Sequence, residues 1–179
     1  MFGPNWSKYL FSGEVDALTR EQKSGAAIGV GWIFSLAAKM KLEADVLYNE
    51  KGAKAALEYA PGKTISGYYK NTSLSFPFLF KYRLKETASA YAALGPEFAF
   101  ILSHQLIFPD SGDRYDLSAS TKKFILGYCV LLGYEYPVGQ WRLSAEVRYN
   151  RWLSDLLPAA ALSVKSESVS ILLGGAYVL

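Results

Sequence analysis

Few residues of this 179-residue chain could support catalysis. The only histidine, His104, follows Ser103 and precedes Asp110, so a Ser–His–acid set for lipid acyl hydrolysis is the first candidate. Neighbouring residues of a strand point to opposite faces, and this separates the Ser103 hydroxyl from the His104 ring. We therefore expect His104 to be an ordinary interfacial or loop histidine, and we predict no catalytic site.

Two further groups of charged residues have spacings that acid–base chemistry uses. Glu43 and Asp45 share one face of an extended strand, as the two carboxylates of a glycosidase would. Glu146 lies between Arg142 and Arg148 on one face of another strand. We interpret both groups as ion pairs, because strands that close into a narrow barrel leave no cleft for a sugar.

Cofactors and nucleic acids are not indicated. No nucleotide-binding or calcium-binding motif is present, and the single Cys129 predicts neither an internal disulfide nor a thiolate metal site. The net charge of +3 is too small to indicate nucleic acid binding. We expect no cofactor, no metal ion and no nucleic acid partner.

Residues 140–150 alternate strictly between polar and apolar side chains. The apolar face has aromatic residues near both ends, Trp141 and Tyr149, with aliphatic residues between them. Because side chains of a strand alternate between two faces, this segment is predicted to be an amphipathic strand. Aromatic rings at both ends of the apolar face are typical of a strand that crosses a membrane.

Seven other segments repeat this alternation. The eight predicted strands span residues 6–17, 26–36, 40–51, 68–83, 89–102, 119–136, 140–150 and 164–179. In the first strand, we assign Tyr9 to the membrane-facing side and Lys8 to the polar side. Short predicted connections (37–39, 84–88, 137–139) alternate with long polar ones (18–25, 52–67, 103–118, 154–163), as in outer-membrane barrels.

The pattern predicts an all-β fold in a single domain, residues 1–179: an eight-stranded antiparallel up-and-down transmembrane β-barrel with a polar, filled interior. Hydrophobic residues make up 51% of the chain, yet the mean hydropathy is only +0.09, as expected when a barrel encloses polar groups. Eight strands enclose just enough space for side chains to fill. Buried charges must then pair, since an unpaired one is strongly destabilising. The predicted interior polar network contains Glu43, Lys81, Glu97, Glu135, Arg142, Glu146 and Arg148.

Several of these segments also resemble a known family. Residues 42–48 with the following Lys51-Gly52, residues 75–83, 93–98, 133–136 and 143–150 are similar to strands of small porin-family outer-membrane β-barrel proteins of Gram-negative bacteria. The resemblance covers most of the chain from about residue 25 onward. It implies that Pro77 and Pro96 are tolerated within strands, at bulges. It also implies a partner, the barrel-assembly machinery, which would recognise the alternating apolar residues of the C-terminal strand, although the family usually ends in Phe and this chain ends in Leu179.

The longest uncharged apolar stretch, residues 25–38, is too short and glycine-rich for a membrane helix, which needs about 20 apolar residues. The first residues lack the features of a signal peptide, so we expect the sequence to be that of a mature chain in the cell outer membrane.

We expect a monomer with a structural or loop-mediated binding role, in contact with outer-membrane lipid and with lipopolysaccharide as a candidate ligand. Three alternatives stay open: a narrow pore for ions or small solutes, a lipid-modifying enzyme, and a soluble lipocalin-like carrier whose apolar face points inward.

Overall fold

The computed structural model describes residues 1–12, 21–60, 63–85, 89–157 and 163–177 of the chain. Its strands are β1 (Phe2–Ser12), β2 (Glu21–Ser35), β3 (Met40–Ala60), β4 (Lys63–Arg83), β5 (Ser89–Ile107), β6 (Arg114–Asp116), β7 (Phe124–Val138), β8 (Trp141–Trp152) and β9 (Ser163–Tyr177), with one 3-10 turn at Ser118–Ser120. No helix within these ranges is long and apolar enough to cross a membrane.

The strands form one closed antiparallel sheet. Its order is β4-β3-β2-β1-β9-β8-β7-β5, and pairing of β4 with β5 closes the ring. Across the described ranges, eight long strands build the barrel, and the short β6 pairs with β5 beyond its rim. The predicted eight-stranded antiparallel barrel is confirmed. We call its two ends the short-turn end, where residues 36–39 and 139–140 reverse the chain, and the long-loop end.

The polar face of each amphipathic strand lies inside this barrel. In β8, the side chains of Trp141, Leu143 and Val147 are about half exposed (52%, 51% and 50%), whereas Glu146 and Arg148 are buried. The inverted arrangement of a soluble carrier, with apolar side chains in the interior and charges outside, does not occur in this strand.

Several predicted loop residues belong to strands. Residues 52–67 were expected to be a long loop, but within the described ranges β3 continues to Ala60, β4 begins at Lys63, and the two strands pair there. Most of these residues are small or polar, so the sequence shows only a weak alternation of polar and apolar side chains. Pairing with the neighbouring strand keeps the backbone extended. Strand β5 likewise continues to Ile107, and β7 begins at Phe124 rather than at residue 119. The predicted strand residues 13–17 and 178–179 lie outside the described ranges.

The faces of β1 are opposite to those predicted. Tyr9 is buried in the barrel interior, on the same face as Asn5 and Ser7. Lys8 lies on the outer surface, where its Nζ atom is 2.9 Å from a carboxylate oxygen of Glu167 on β9. The small polar residues of β1 determine its interior face, and the partner carboxylate stabilises the outward lysine.

The two mid-strand prolines do not lie at bulges. Pro77 pairs with Glu97, and Pro96 pairs with Tyr128, both in regular register. The pairing of β4 with β3 is interrupted beside Pro77, as expected for a residue without an N–H group. The register of the two strands is the same before and after this interruption.

Candidate functional site

The guanidinium of Arg148 is the centre of a charged network in the short-turn half of the interior. Its Nη1 atom lies 2.6 Å from Asp45 Oδ2, and its Nη2 atom lies 2.9 Å from Glu43 Oε1 and 2.6 Å from Glu146 Oε2. The Tyr91 hydroxyl donates a further hydrogen bond to Glu146 Oε1, at 2.6 Å. One fully buried cation therefore pairs with three carboxylates, two of which come from β3 on the far side of the barrel.

Lys81 extends this network toward the short-turn rim. Its ammonium lies 3.0 Å from Glu43 and 2.6 Å from Glu135, and it sits 3.7 Å from the centre of the Tyr91 ring. Glu135 also lies 3.3 Å from Arg83 Nε. Arg142 reaches Glu135 from the rim at 3.7 Å with a partly exposed side chain.

Glu97 lies in a second, separate cluster nearer the middle of the barrel. It accepts a hydrogen bond from the Asn150 side chain and lies 3.6 Å from Lys51 Nζ. The Lys51 ammonium also sits 4.6 Å from the centre of the Trp152 ring. The indole thus provides a second favourable contact for a buried cation that has one carboxylate partner in this cluster.

The structure thus places six of the seven predicted network residues in one connected set and Glu97 in the other. The predicted network omitted Lys51, the last residue of the third predicted strand, and Tyr91. Both could have been predicted from the sequence. Lys51 is an even number of residues from the inward-facing Glu43, and Tyr91 is an even number of residues from Glu97, so each points into the barrel.

The long-loop half of the interior contains a packed apolar cluster as well as buried polar residues such as Asn71 and Ser166. The buried side chains of this layer are Tyr9, Ala53, Ala99, Ile101, Ile125, Trp152, Leu156 and Val164. Phe11, Tyr69 and Leu157 pack against them from positions that are partly buried. We call these residues the outer apolar layer. Its side chains come from strands around the ring and from residues 156–157 beyond β8, so they cross the lumen rather than line it.

His104 is the polar centre of this layer, not the interfacial or loop residue that we expected. The Thr121 hydroxyl donates to the Leu117 carbonyl oxygen (2.7 Å), so it accepts from His104 Nδ1–H (2.8 Å). The Tyr9 hydroxyl lies 3.3 Å from Nε2 and donates to it. Burial lowers the pKa of His104 from 6.5 to about 4, against a smaller opposing effect of Asp116. The ring is therefore neutral, with its proton on Nδ1.

Ser103 and His104 do not form a catalytic pair. The Ser103 hydroxyl is hydrogen-bonded to Thr72 Oγ1 at 2.6 Å, whereas both ring nitrogens of His104 are engaged by Tyr9 and Thr121. The third candidate, Asp110, is exposed in the connection beyond β5. The arrangement lacks the contact between nucleophile and base that acyl transfer requires.

A cavity of about 480 Å³ lies between the charged network and the short-turn end. Acidic residues of the network line it together with Arg142 and Lys81. The interior is therefore not filled along its whole length. It contains a polar vestibule at one end, the charged network in its middle and the outer apolar layer at the other end.

This architecture agrees with comparisons to known proteins. A family model described as the outer membrane protein beta-barrel domain matches residues 1–157. The chain belongs to this family. The protein is accordingly an integral β-barrel of the Gram-negative cell outer membrane.

Solved barrels of this type are similar in fold and distant in sequence. The crystal structure of Neisserial surface protein A is 15% identical, with 97% of this chain and 92% of that chain covered and a TM-score of 0.50. The attachment invasion locus protein Ail of Yersinia pestis is 15% identical, with 98% and 95% covered and a TM-score of 0.43. No curated protein matches this chain.

The outer surface of this outer-membrane barrel has a lipid-facing belt with aromatic residues at both ends. Trp141 and Tyr177 pack edge to face at the short-turn end, with ring centres 5.3 Å apart. Phe98, Phe100 and Phe124 pack together toward the long-loop end. The two aromatic groups correspond to the interfacial girdles of membrane barrels.

Beyond the belt, at the long-loop end, two lysines share one carboxylate. The ammonium groups of Lys70 and Lys23 lie 2.9 Å and 3.7 Å from Glu50 Oε1, and Lys23 also sits 5.2 Å from the centre of the Tyr68 ring. The hydrogen bond from Lys70 lowers the pKa of Glu50, so the carboxylate is ionised. The Lys23–Glu50–Lys70 cluster therefore has a net charge of +1.

Proposed function

We propose that this protein is a closed, non-catalytic barrel of the outer membrane that binds lipopolysaccharide at its long-loop end. The main observation that supports a closed state is the packing of the outer apolar layer. A pore for ions needs a continuous polar passage, and the packed rings of Tyr9 and Trp152 with Leu156 oppose one. By the general rule for such barrels, the long-loop end faces the cell exterior.

Conductance measurements in planar bilayers test the closed state. We expect no steady current steps after insertion of the purified protein. Insertion is checked on the same bilayers by protection of the barrel from added protease. Reproducible steps of one defined size would contradict the proposal and favour the pore.

The Lys23–Glu50–Lys70 cluster supports a phosphate-bearing lipid as the ligand. It lies outside the apolar belt, at the level where the phosphate groups of lipopolysaccharide in the outer leaflet would lie. Its excess positive charge attracts anions, and each lysine near an anionic lipid surface contributes roughly 1 kcal/mol. The Lys8–Glu167 pair lies on the same surface, but its charges balance.

A double variant, Lys23→Ala with Lys70→Ala, tests this ligand. In binding measurements with lipopolysaccharide at low salt, we expect affinity to fall on the order of 30-fold. Lipopolysaccharide without lipid A phosphates should bind both proteins equally. The matched control replaces the exposed Lys39 and Lys85 at the short-turn end, which should leave affinity unchanged. A double variant that binds phosphorylated lipopolysaccharide as tightly as the unaltered protein would contradict the role of the cluster.

The absence of catalysis belongs to the same proposal and has its own test. Mass analysis of lipid A after incubation with the protein should show no change in acyl chains or phosphates. Loss or gain of an acyl chain would favour the lipid-modifying enzyme instead. The separation of Ser103 from the His104 ring supports the expected result.

A further inference from the structure

A second group of charged side chains lies on the outer surface at the long-loop end. Lys8 on β1 and Arg151 on β8 both pair in register with Glu167 of β9, which lies between them. The Lys8 ammonium is 2.9 Å from Glu167 Oε1, and the Tyr149 hydroxyl donates to Glu167 Oε2 at 3.0 Å. Lys165 faces the same side of β9, two residues nearer the loops. We call Lys8, Glu167, Arg151 and Lys165 the β1–β9–β8 cluster.

This cluster is positively charged. The hydrogen bond from Lys8 lowers the pKa of Glu167, so the carboxylate is ionised. Three cations and one carboxylate give the four residues of the cluster a net charge of +2. Lys8 and Glu167 balance each other as a pair, but Arg151 and Lys165 beside them make the surrounding surface cationic.

Aromatic side chains place the cluster at the height of lipid headgroups. Trp6 on β1 and Tyr149 on β8 both pair with Val169, and this row faces outward. Tryptophan and tyrosine concentrate at the boundary between the hydrocarbon and the headgroups. The row that contains Lys8 and Glu167 lies two residues nearer the long-loop end, which is about 7 Å along a strand. Its cations therefore lie in the headgroup layer, where they can contact phosphate.

The β1–β9–β8 cluster adjoins the Lys23–Glu50–Lys70 cluster. β1 and β2 are neighbours in the sheet, and Lys23 pairs with Ser7, the residue before Lys8. Together the two clusters span six adjacent strands in the order β4-β3-β2-β1-β9-β8. At about 4.8 Å between strands, this band is roughly 24 Å wide. Each half of the band has an excess of positive charge, so the band can bind two phosphate groups, one in each half.

We propose that the β1–β9–β8 cluster binds a second phosphate group of the same lipid whose first phosphate contacts the Lys23–Glu50–Lys70 cluster. The ligand is then a lipid with two phosphates on one headgroup, such as bisphosphorylated lipid A. Because the two clusters adjoin, one headgroup contacts both, and the second contact forms within a complex that already exists. This inference rests on the lipopolysaccharide ligand proposed above and specifies which form of it the barrel prefers.

The test compares the binding of bisphosphorylated and monophosphorylated lipid A to the complete protein in detergent micelles at low salt. We expect the unaltered protein to bind the bisphosphorylated form on the order of 30-fold more tightly, because the second phosphate contacts at least two more cations. Lys8→Ala with Arg151→Ala should reduce this ratio to within about threefold, because Lys165 and Glu167 then balance. A misfolded fraction lowers both affinities alike, so the ratio of affinities reports the contact rather than the fold.

Two further variants are the controls. Lys122→Ala with Lys123→Ala removes the same number of charges from exposed positions at the long-loop end, and it should leave the ratio unchanged. Lys8→Arg with Arg151→Lys keeps every charge of the cluster and should retain the preference for two phosphates.

Three results would overturn the inference, and they separate it from the proposed function. If Lys8→Ala with Arg151→Ala keeps the full ratio while Lys23→Ala with Lys70→Ala weakens binding, the ligand stands and the second phosphate site is refuted. If two lipid molecules bind each barrel and each cluster holds one of them, the clusters do not share a headgroup. If the unaltered protein binds dephosphorylated lipid A as tightly as the bisphosphorylated form, both the ligand and the second site are refuted.

Discussion

Replacement of Arg148 by methionine tests whether the charged network stabilises the barrel. Methionine retains an unbranched apolar side chain but removes the guanidinium that contacts Glu43, Asp45 and Glu146 at 2.6 to 2.9 Å. Lys81 then remains as the partner of Glu43, and the other two acids lose their shared cation. Removal of one partner of a buried ion pair costs about 3–5 kcal/mol, so we expect a loss of this size in the free energy of unfolding.

Urea unfolding in detergent micelles measures this loss, with the folded fraction read from heat-modifiable gel mobility. Arg142→Met is the matched control, because it removes the same group from the rim. Among the described residues, Arg142 has one ion-pair partner, at 3.7 Å, and its side chain is 26% exposed, so its loss should cost less than about 1 kcal/mol. Adding Asp45→Asn and Glu146→Gln to Arg148→Met should restore part of the stability, because these substitutions neutralise the two carboxylates that lost their cation. If Arg148→Met and Arg142→Met lose the same stability, or if the added substitutions destabilise further, the network does not act as described.

Three other perturbations follow from the interior. The pKa of His104 is about 4 in the folded barrel and 6.5 ordinarily, so the unfolded state binds the proton first as the pH falls. The free energy of unfolding should therefore fall by roughly 3 kcal/mol between pH 6.5 and pH 4 and level off below. The control is His104→Asn, whose free energy of unfolding should lack this pH-dependent loss. Tyr91→Phe removes the donor to Glu146 but keeps the ring beneath Lys81, and it should lower the free energy of unfolding by about 1.5–3 kcal/mol in urea titrations; a neutral result would show that water replaces the hydroxyl. Cys129 is fully buried, so it should resist maleimide labelling in the folded barrel and react after urea unfolding; labelling without urea would show that the wall opens at β7.

Strand faces could be predicted from the sequence wherever charges alternate with apolar residues. In β8, the parity of Arg142, Glu146 and Arg148 determines which face is buried, since a shift by one residue would expose every charge to lipid. The prediction was wrong in β1, where Tyr9 replaces a charge on the interior face and Lys8 lies beyond the apolar belt. A tyrosine side chain is compatible with both the lipid-facing surface and the interior, so the alternation of residues alone did not show which way Tyr9 points.

The ends of the strands and the composition of the outer apolar layer were not predictable in the same way. Residues 52–67 have loop-like composition, but the described ones, 52–60 and 63–67, belong to strands because β3 and β4 pair with each other there. His104 lies within the barrel because β5 continues past the expected boundary and because Thr121, distant in sequence, completes its hydrogen bonds. The strand ends and the position of His104 thus depend on contacts between segments that are distant in sequence, and the local residue pattern carries no information about these contacts.

The division of the interior supports our proposal that this narrow barrel is closed to solutes. Arg148 on β8 contacts β3, and Lys81 on β4 contacts β7, so the charged network connects strands that are not neighbours in the sheet. These contacts cross the lumen, and each also excludes a solute from the space it occupies. At the long-loop end, Trp152 and the other residues of the outer apolar layer fill the lumen with packed side chains. Because the cross-lumen contacts lie away from the long loops, substitutions on the outer surface there, such as those at Lys23 and Lys70, can alter binding while the barrel remains intact.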